Sequence, residues 1–148
     1  MERRYTACGA WIHGAMPSRH SMRNQADRPP VFRREGDYWT VAYDRVVVRL
    51  PDAKGLRYLE PLLRHPGQSF HVAELIRAAA CPDGRRPATD DGTAEAVERA
   101  RKAVTNRIRQ TLARIASVHH ALGLHLRNAV HTGTRCAYTP ERPTRWSP

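Results

Sequence analysis

The sequence has few cysteines and no long apolar segment. Its three cysteines, Cys8, Cys81 and Cys136, are odd in number, far apart and without a Cys-x-x-Cys pair. This excludes a disulfide framework and a zinc-ribbon pattern and favours a reducing cytoplasm. No stretch approaches the roughly 20 apolar residues of a membrane-spanning helix, and the apolar run at residues 10–12 is too short for a signal peptide. The sequence therefore predicts a soluble, cytoplasmic protein that does not contact a membrane.

The motifs of common enzyme classes are also missing. There is no Gly-x-x-x-x-Gly-Lys-Ser/Thr phosphate loop, no Gly-x-Ser-x-Gly elbow and no His-Glu-x-x-His helix. The acidic pair Asp90-Asp91 precedes a predicted helix, where carboxylates act as caps and dipole partners. The adjacent His119 and His120 would lie about 100° apart on a helix, which is not a chelating arrangement. We predict neither an enzyme nor a metal or cofactor site.

What the chain has in excess is arginine. It contains 25 basic residues against 14 acidic ones, which gives a net charge of +11. All but two of the basic residues are arginine, so a GC-rich genome is an alternative source of this excess. Position is more informative: the net charge is +3 over residues 1–30, +1 over 31–94 and +7 over 95–148. The basic C-terminal third predicts a polyanionic partner.

The first 30 residues show no sustained hydrophobic period and end in Arg28-Pro29-Pro30. This composition predicts a disordered basic arm. A start codon assigned too far upstream is the alternative. Four arginines of this arm are candidates for non-specific contacts: Arg3, Arg4, Arg19 and Arg23.

Two runs rich in β-branched and aromatic residues, 38–43 and 46–50, predict a β-hairpin. Asp44-Arg45 separates them and is unfavourable for a two-residue turn, because neither residue adopts positive φ easily. A four-residue loop is the alternative. The two-residue turn opposes three apolar pairs on one face, of which the four-residue loop keeps the last two: Tyr43/Val46, Val41/Val48 and Trp39/Leu50.

Apolar spacing predicts three helices. The first follows Asp52 as a candidate cap and ends at residues 65–67, with Pro61 expected to kink it or delay its start. The second covers about residues 71–80, and a linker over 82–92 leads to the third, over about 93–118, with Thr93 as a candidate cap. The predicted buried stripes are Leu56, Leu59, Leu62 and Leu63 on the first helix, and Val97, Val104, Ile108, Leu112 and Ile115 on the third.

The side of the third helix opposite its apolar stripe is basic and rich in amides. Arginine and lysine suit phosphates and guanine, and asparagine and glutamine suit adenine. We therefore predict this face as a DNA-binding surface. Its residues are Arg99, Lys102, Asn106, Arg109 and Gln110, with Arg107 and Arg114 on a flank.

A second hairpin is predicted after the third helix. Residues 121–124 continue as a short turn of helix or a cap, and residues 126–130 and 136–138 then form strands around Thr132-Gly133-Thr134. A three-residue loop would oppose Val130 to Cys136. Arg127 and Arg135 near the ends of this hairpin are predicted phosphate contacts, and residues 141–148 are predicted to form a tail.

This order of elements is that of a winged helix-turn-helix, whose third helix enters the major groove of DNA and whose hairpin is the wing. We therefore predict an α+β, mainly helical winged-helix domain over residues 31–140. The segments that carry a family resemblance are Phe32 to Val41, Lys54 to Leu59, Leu62 to Gly67, Val104 to Arg109, Leu112 to Ile115, His119 to Gly123 and Thr132 to Tyr138.

These segments resemble the winged-helix module at the C-terminal end of large bacterial regulators, where it follows ATPase, adenylate-cyclase-like or tetratricopeptide regions. More distantly, the chain is similar to OmpR-type effector domains, whose wing turns on a glycine, here Gly133. The resemblance covers about residues 31–143, without the long charged insertion that related sequences carry between the second and third helices. It implies a bacterial DNA-binding regulator of transcription that contacts double-stranded DNA.

Two other functions remain open at this stage. The domain is a protein-interaction module if the apolar face of the hairpin, or the stripe around Leu59 and Leu63, docks a signalling protein. RNA binding is the other, although Tyr138 and Trp146 are the only aromatics near the basic region that could stack on bases. A second copy of the chain is a further candidate partner.

Overall fold

The computed structural model describes residues 29–80 and 92–147, which form an α+β fold with about half of these residues in helices. The predicted basic arm lies outside the described residues except for its last two positions. The same holds for all but the last position of the predicted linker 82–92, including the candidate caps Asp90 and Asp91.

The predicted hairpin is confirmed and is part of a three-stranded antiparallel sheet. Strands β1 (Val31–Glu35), β2 (Tyr38–Tyr43) and β3 (Val46–Pro51) follow one another in the order β1-β2-β3. The register between β2 and β3 opposes Tyr43 to Val46, as the two-residue turn requires. Strand β1 was not predicted, because its charged residues hide any alternation. It forms by pairing with β2 across a turn at Gly36, where φ is +67°.

The turn between β2 and β3 is built from the two residues that the sequence disfavours for it. Asp44 and Arg45 have φ angles of 44° and 68°. For residues other than glycine, this backbone conformation costs roughly 1–2 kcal/mol each. The alternative four-residue loop is wrong, because the full set of cross-strand pairs that the tight turn allows outweighs this local strain.

The three predicted helices are confirmed within one or two residues at each end. They are α1 (Lys54–Arg64), α2 (Val72–Ala80) and α3 (Ala94–Val118). Helix α1 shows no late start and continues through Pro61. The hydroxyl of Thr93 accepts a hydrogen bond from the backbone N–H of Ala96, so the predicted cap of α3 is confirmed.

A fourth helix, α4 (His120–Ala129), replaces the predicted short turn and first wing strand. The sequence prediction placed a short turn of helix or a cap at residues 121–124, followed by a strand over residues 126–130. Leu122, Leu126 and Ala129 instead form one buried helical stripe. His119 caps this helix, since its Nδ1 accepts a hydrogen bond from the backbone N–H of Leu122 at 3.2 Å.

A small second sheet closes the fold with the order β4-β6-β5. Its strands are β4 (Ser69–His71), β5 (Val130–His131) and β6 (Arg135–Tyr138). The predicted register between β5 and β6 is wrong by two residues, because Val130 lies opposite Tyr138 and not Cys136. Cys136 pairs instead with Phe70 of β4, a three-residue strand too short to be seen in the sequence pattern.

The core lies between the inner face of the first sheet and the helices. Trp39 and Val41 are fully buried there together with the predicted stripe of α1. The apolar face of the hairpin becomes more exposed toward its turn, where Val46 is 46% exposed. On α3, all predicted stripe residues except Val97 are buried, and Val97 is half-buried.

Asp52 does not cap α1, contrary to the sequence prediction. Ala53 is the N-cap residue, and it makes no side-chain capping hydrogen bond. The carboxylate of Asp52 instead accepts hydrogen bonds from Trp39 Nε1 at 2.8 Å and from the guanidinium of Arg57. Arg34 also pairs with it at 3.3 Å. Asp52 therefore connects the first sheet to α1.

The C-terminal segment, predicted as a tail from residue 141, returns to the first sheet. The backbone N–H of Phe32 donates to the carbonyl of Ser147 at 3.0 Å, and the N–H of Ser147 donates to the carbonyl of Pro30 at 2.8 Å. The indole of Trp146 stacks on Tyr43 with 5.8 Å between ring centroids. The last residues described thus stabilise the start of the domain.

Two glycines allow helices to approach α3 more closely than a side chain permits. A Cβ atom at Gly55 of α1 would lie 2.0 Å from Thr111 Oγ1 and 2.6 Å from the carbonyl oxygen of Arg107. One at Gly123 of α4 would lie 2.4 Å from both Cα and Cβ of Ala116. Two helices therefore hold α3 through contacts between their backbones and its own.

We expect Gly55→Ala and Gly123→Ala each to lower the free energy of unfolding by about 1–3 kcal/mol, as overpacked cores do. In an exposed helix the same change would raise it by up to about 1 kcal/mol, so the sign of the effect tests the packing. Urea denaturation measures it. Gly92→Ala is the control, because nothing lies within 4 Å of that position. Stabilisation by either helical variant would contradict the close approach.

The Asp52 network predicts a loss of stability in acid. The hydrogen bond from Arg57 is the main cause that lowers the pKa of Asp52 from 3.8 to about 2, aided by Trp39. A carboxylate whose pKa is lowered by folding stabilises the protein above its unfolded pKa, and this contribution disappears as the pH falls through the folded value. We expect a contribution of about 2 kcal/mol above pH 4, lost between about pH 4 and pH 2.

The measurement compares the unfolding free energies of the wild type and Asp52→Asn by urea denaturation across this pH range. Their difference should shrink as the pH falls. Asp37→Asn, which changes an exposed carboxylate, serves as the control. A difference between wild type and Asp52→Asn that stays constant with pH would show that this carboxylate is not held ionised by its partners.

Candidate nucleic-acid interface

Helix α3 has one side anchored in the core. Its buried side chains are at most 7% exposed and all lie between residues 104 and 115. They include Val104, Ile108, Leu112 and Ile115. Residues 94–103 include no buried side chain. The helix is therefore held rigidly from about residue 104 to 115, while its first ten residues contact the core only through half-buried side chains such as Ala100.

The opposite side of α3 faces solvent. All seven α3 residues predicted to contact DNA are exposed: Arg99, Lys102, Asn106, Arg107, Arg109, Gln110 and Arg114. In the part of the chain that the structure describes, the side chains of all of them except Lys102 make no hydrogen bond or ion pair. Their donors and acceptors are thus available to a ligand.

The first ten residues of α3 contain ion pairs within the helix. Glu98 accepts hydrogen bonds from Arg101 at 2.6 and 2.7 Å, and Lys102 Nζ lies 3.7 Å from Glu98 Oε1. These partners lower the pKa of Glu98, Arg101 being the larger cause. Pairs as exposed as these contribute little to stability, so a phosphate can compete for both cations.

Acidic residues are missing from a long part of the sequence that begins within α3. Between Glu98 and Glu141 the chain contains no Asp or Glu, and residues 99–140 contain eight Arg and Lys residues. Most of these belong to α3. An excess of positive charge on a surface produces a potential that attracts polyanions over a distance of about one Debye length, roughly 8 Å at physiological salt.

Of the two arginines predicted to lie on the wing, one belongs to the small sheet and the other does not. Arg135 is exposed at the start of β6, opposite His71 of β4. Arg127 is exposed as well, but it lies on α4, so its assignment to the wing is wrong. The physical reason is the helical stripe of α4, which continues to Ala129.

The hairpin formed by β5 and β6 is connected to the segment between α1 and α2. The backbone N–H of Val72 donates to the carbonyl of Thr134 at 3.0 Å, and the N–H of Gly67 donates to the carbonyl of Tyr138 at 2.8 Å. Gly133 has no positive φ, and a Cβ added there would meet the carbonyl oxygen of Arg135 at an ordinary 3.4 Å. The loop between β5 and β6 therefore does not require a glycine at this position, contrary to the prediction.

Much of the surface predicted for the other two functions is buried. Leu59, Leu63, Trp39 and Val41 are at most 1% exposed, so the α1 stripe and the inner part of the hairpin face belong to the core, whereas Val46 beside the turn is 46% exposed. Tyr138 is fully buried, and Trp146 is packed against Phe32 and Tyr43. These two aromatics are not available to stack on RNA bases.

Sequence reasoning missed an aromatic cluster that connects the first sheet, α4 and β6. Tyr43 stacks on His125 at 5.1 Å, and the hydroxyl of Tyr138 is hydrogen-bonded to His125 Nε2 at 2.7 Å and to Trp146 Nε1 at 3.1 Å. His119 Nε2 donates to the carbonyl of Tyr43 at 2.9 Å. These residues are far apart in sequence, so only a tertiary contact reveals them.

Comparison with protein-family models, curated proteins and solved structures finds no match to this chain. Among residues 29–80 and 92–147, no helix combines the length and apolar character needed to cross a membrane. Within the same ranges, no three His, Cys, Asp or Glu side chains meet in a way that could hold a metal ion.

Proposed function

We propose that this protein is a winged-helix regulator of transcription that binds double-stranded DNA through the exposed side of α3. The observation that carries the proposal is the position of Asn106, Arg109 and Gln110. They are exposed and make no hydrogen bond among the described residues, yet they stand on the half of α3 that α1 and α4 hold in place. Base reading requires side chains that are free to bind and a backbone that is rigid.

The chemistry of these residues suits base edges in the major groove. The amides of Asn106 and Gln110 each match the donor and acceptor pattern of adenine, and Arg109 and Arg114 match guanine. Asn106 and Gln110 are four residues apart, so their Cβ atoms lie about 5–6 Å from one another on one helix face. This spacing lets them reach neighbouring base pairs. We therefore expect a site with adenine in adjacent or nearly adjacent pairs.

The cations around these readers supply affinity. Arg99 and Lys102 are exposed on the first part of α3, and Arg135 is exposed on the proposed wing. Arginine and lysine at such positions neutralise phosphates, which fixes the orientation of the domain without reading sequence. Arg127 extends the positive surface from α4 and is not a wing contact in this proposal.

The first experiment is a selection from random duplex DNA at about 150 mM salt, using the full chain and the Asn106→Ala/Arg109→Ala double variant. We expect the wild type to enrich a motif that the double variant loses, because each base-reading pair provides about 1–3 kcal/mol of discrimination. Arg49→Ala is the matched control, since it removes an exposed arginine from β3, away from α3. Weak retention without a motif in all three proteins would rule out base reading by α3.

Single variants separate reading from attraction. Asn106→Ala should relax the preference at one position of the motif, whereas Arg99→Ala should weaken binding to every duplex by a similar factor. Both side chains are exposed, so we expect changes in unfolding free energy within about 0.5 kcal/mol. Equal effects of both variants on cognate and non-cognate duplexes would contradict the division of roles.

Salt dependence tests the phosphate contacts. With several phosphates neutralised, affinity should fall by orders of magnitude between about 50 and 200 mM salt. Arg135→Ala should reduce the slope of log K against log salt by about one, because one phosphate contact is lost. Fluorescence anisotropy with a labelled duplex measures both quantities. A salt-independent affinity would refute the mechanism.

A further inference from the structure

A solvent-open cavity of about 290 Å³ lies between α4 and the C-terminal segment. Its walls come from three parts of the chain: the end of β2, the second half of α4 and residues 139–144. It is therefore a product of tertiary structure, near the lower end of the volumes of small-molecule sites. No role in DNA binding involves it.

The segment that forms the outer wall is fixed at both ends. At one end, the backbone N–H of Thr139 donates to the carbonyl of Ala129 at 2.8 Å. At the other, Trp146 Nε1 donates to the hydroxyl of Tyr138 at 3.1 Å, and Ser147 pairs with the first sheet. Between these anchors, an open space remains between the segment and α4.

The cavity contains a charge of each sign without an ion-pair partner. Glu141 and Arg142 both line it, and within the described residues neither makes an ion pair or a side-chain hydrogen bond. The other polar groups beside them are the hydroxyl of Tyr43, the amide of Asn128 and the imidazole of His125. Burial lowers the pKa of His125, and the nearby carboxylate of Glu141 acts in the opposite direction.

We propose that this cavity binds a small zwitterion of the α-amino-acid class, with its carboxylate on the guanidinium of Arg142 and its ammonium group on the carboxylate of Glu141. Arginine can bind a carboxylate through two parallel hydrogen bonds. The Tyr43 hydroxyl and the Asn128 amide, which are also without hydrogen-bond partners among the described residues, then contact the remainder of the ligand. Because Ala129 leads directly into β5, an occupied site adjoins the wing.

The test is a titration of the isotope-labelled full chain with each standard L-amino acid, followed by heteronuclear NMR. Acetate and methylammonium, which carry one charge each, are the comparison probes. We expect at least one amino acid to cause saturable shifts at His125 and Asn128. Both single-charge probes should bind at least about tenfold more weakly, because each lacks one charge-assisted contact.

Variants link the binding to the two charges. Arg142→Gln and Glu141→Gln should each weaken the binding of the amino acid by at least about tenfold. Arg145→Gln, an exposed cation of the same segment that does not line the cavity, should have no effect. All three side chains are exposed, and an unchanged spectrum away from the cavity verifies folding. The proposal fails if no amino acid saturates, if acetate alone binds equally well, or if Arg145→Gln weakens binding as much as Arg142→Gln.

Discussion

The close contact of two glycines with α3 determines how that helix is presented. At Gly55 and Gly123 the backbones of α1 and α4 approach α3 to distances that exclude even a methyl group. Such contacts leave little freedom to shift or rotate, because protein interiors are packed at crystal-like density. The residues of α3 on the opposite side inherit this rigidity. The backbone positions of Asn106, Arg109 and Gln110 are therefore defined, although their side chains make no hydrogen bond or ion pair among the described residues.

The same packing divides α3 into two parts. Residues 104–115 carry the buried stripe on one side and Asn106, Arg109 and Gln110 on the other. The preceding residues lack buried side chains and carry the Glu98 ion pairs instead. In the proposed function, the first of these two parts reads bases and the second attracts phosphates. The first needs fixed geometry, and the second needs only charge.

The aromatic cluster gives the domain its closure. Tyr43, His125, Tyr138 and Trp146 bring together β2, α4, β6 and the C-terminal segment through stacking and hydrogen bonds to one hydroxyl. Asp52 performs the corresponding task at the other end of β2 and β3, where it joins Trp39 to Arg57. The cavity with Glu141 and Arg142 exists because the C-terminal segment is held by this cluster and not by contacts along its whole length.

Local patterns determined the hairpin and its register, the extent of α1, α2 and α3, and the solvent-facing side of α3. Each depends on a periodicity of apolar residues that repeats within a single element. Tertiary structure alone decided that β1 and β4 form and how β5 pairs with β6. Short strands form where a partner strand is present, and their sequences show no periodicity of their own. It also decided that Asp52 binds Trp39 and Arg57 instead of capping α1. Residues 126–129 became helical because burial of Leu126 and Ala129 against the core outweighed a weak local preference for strand.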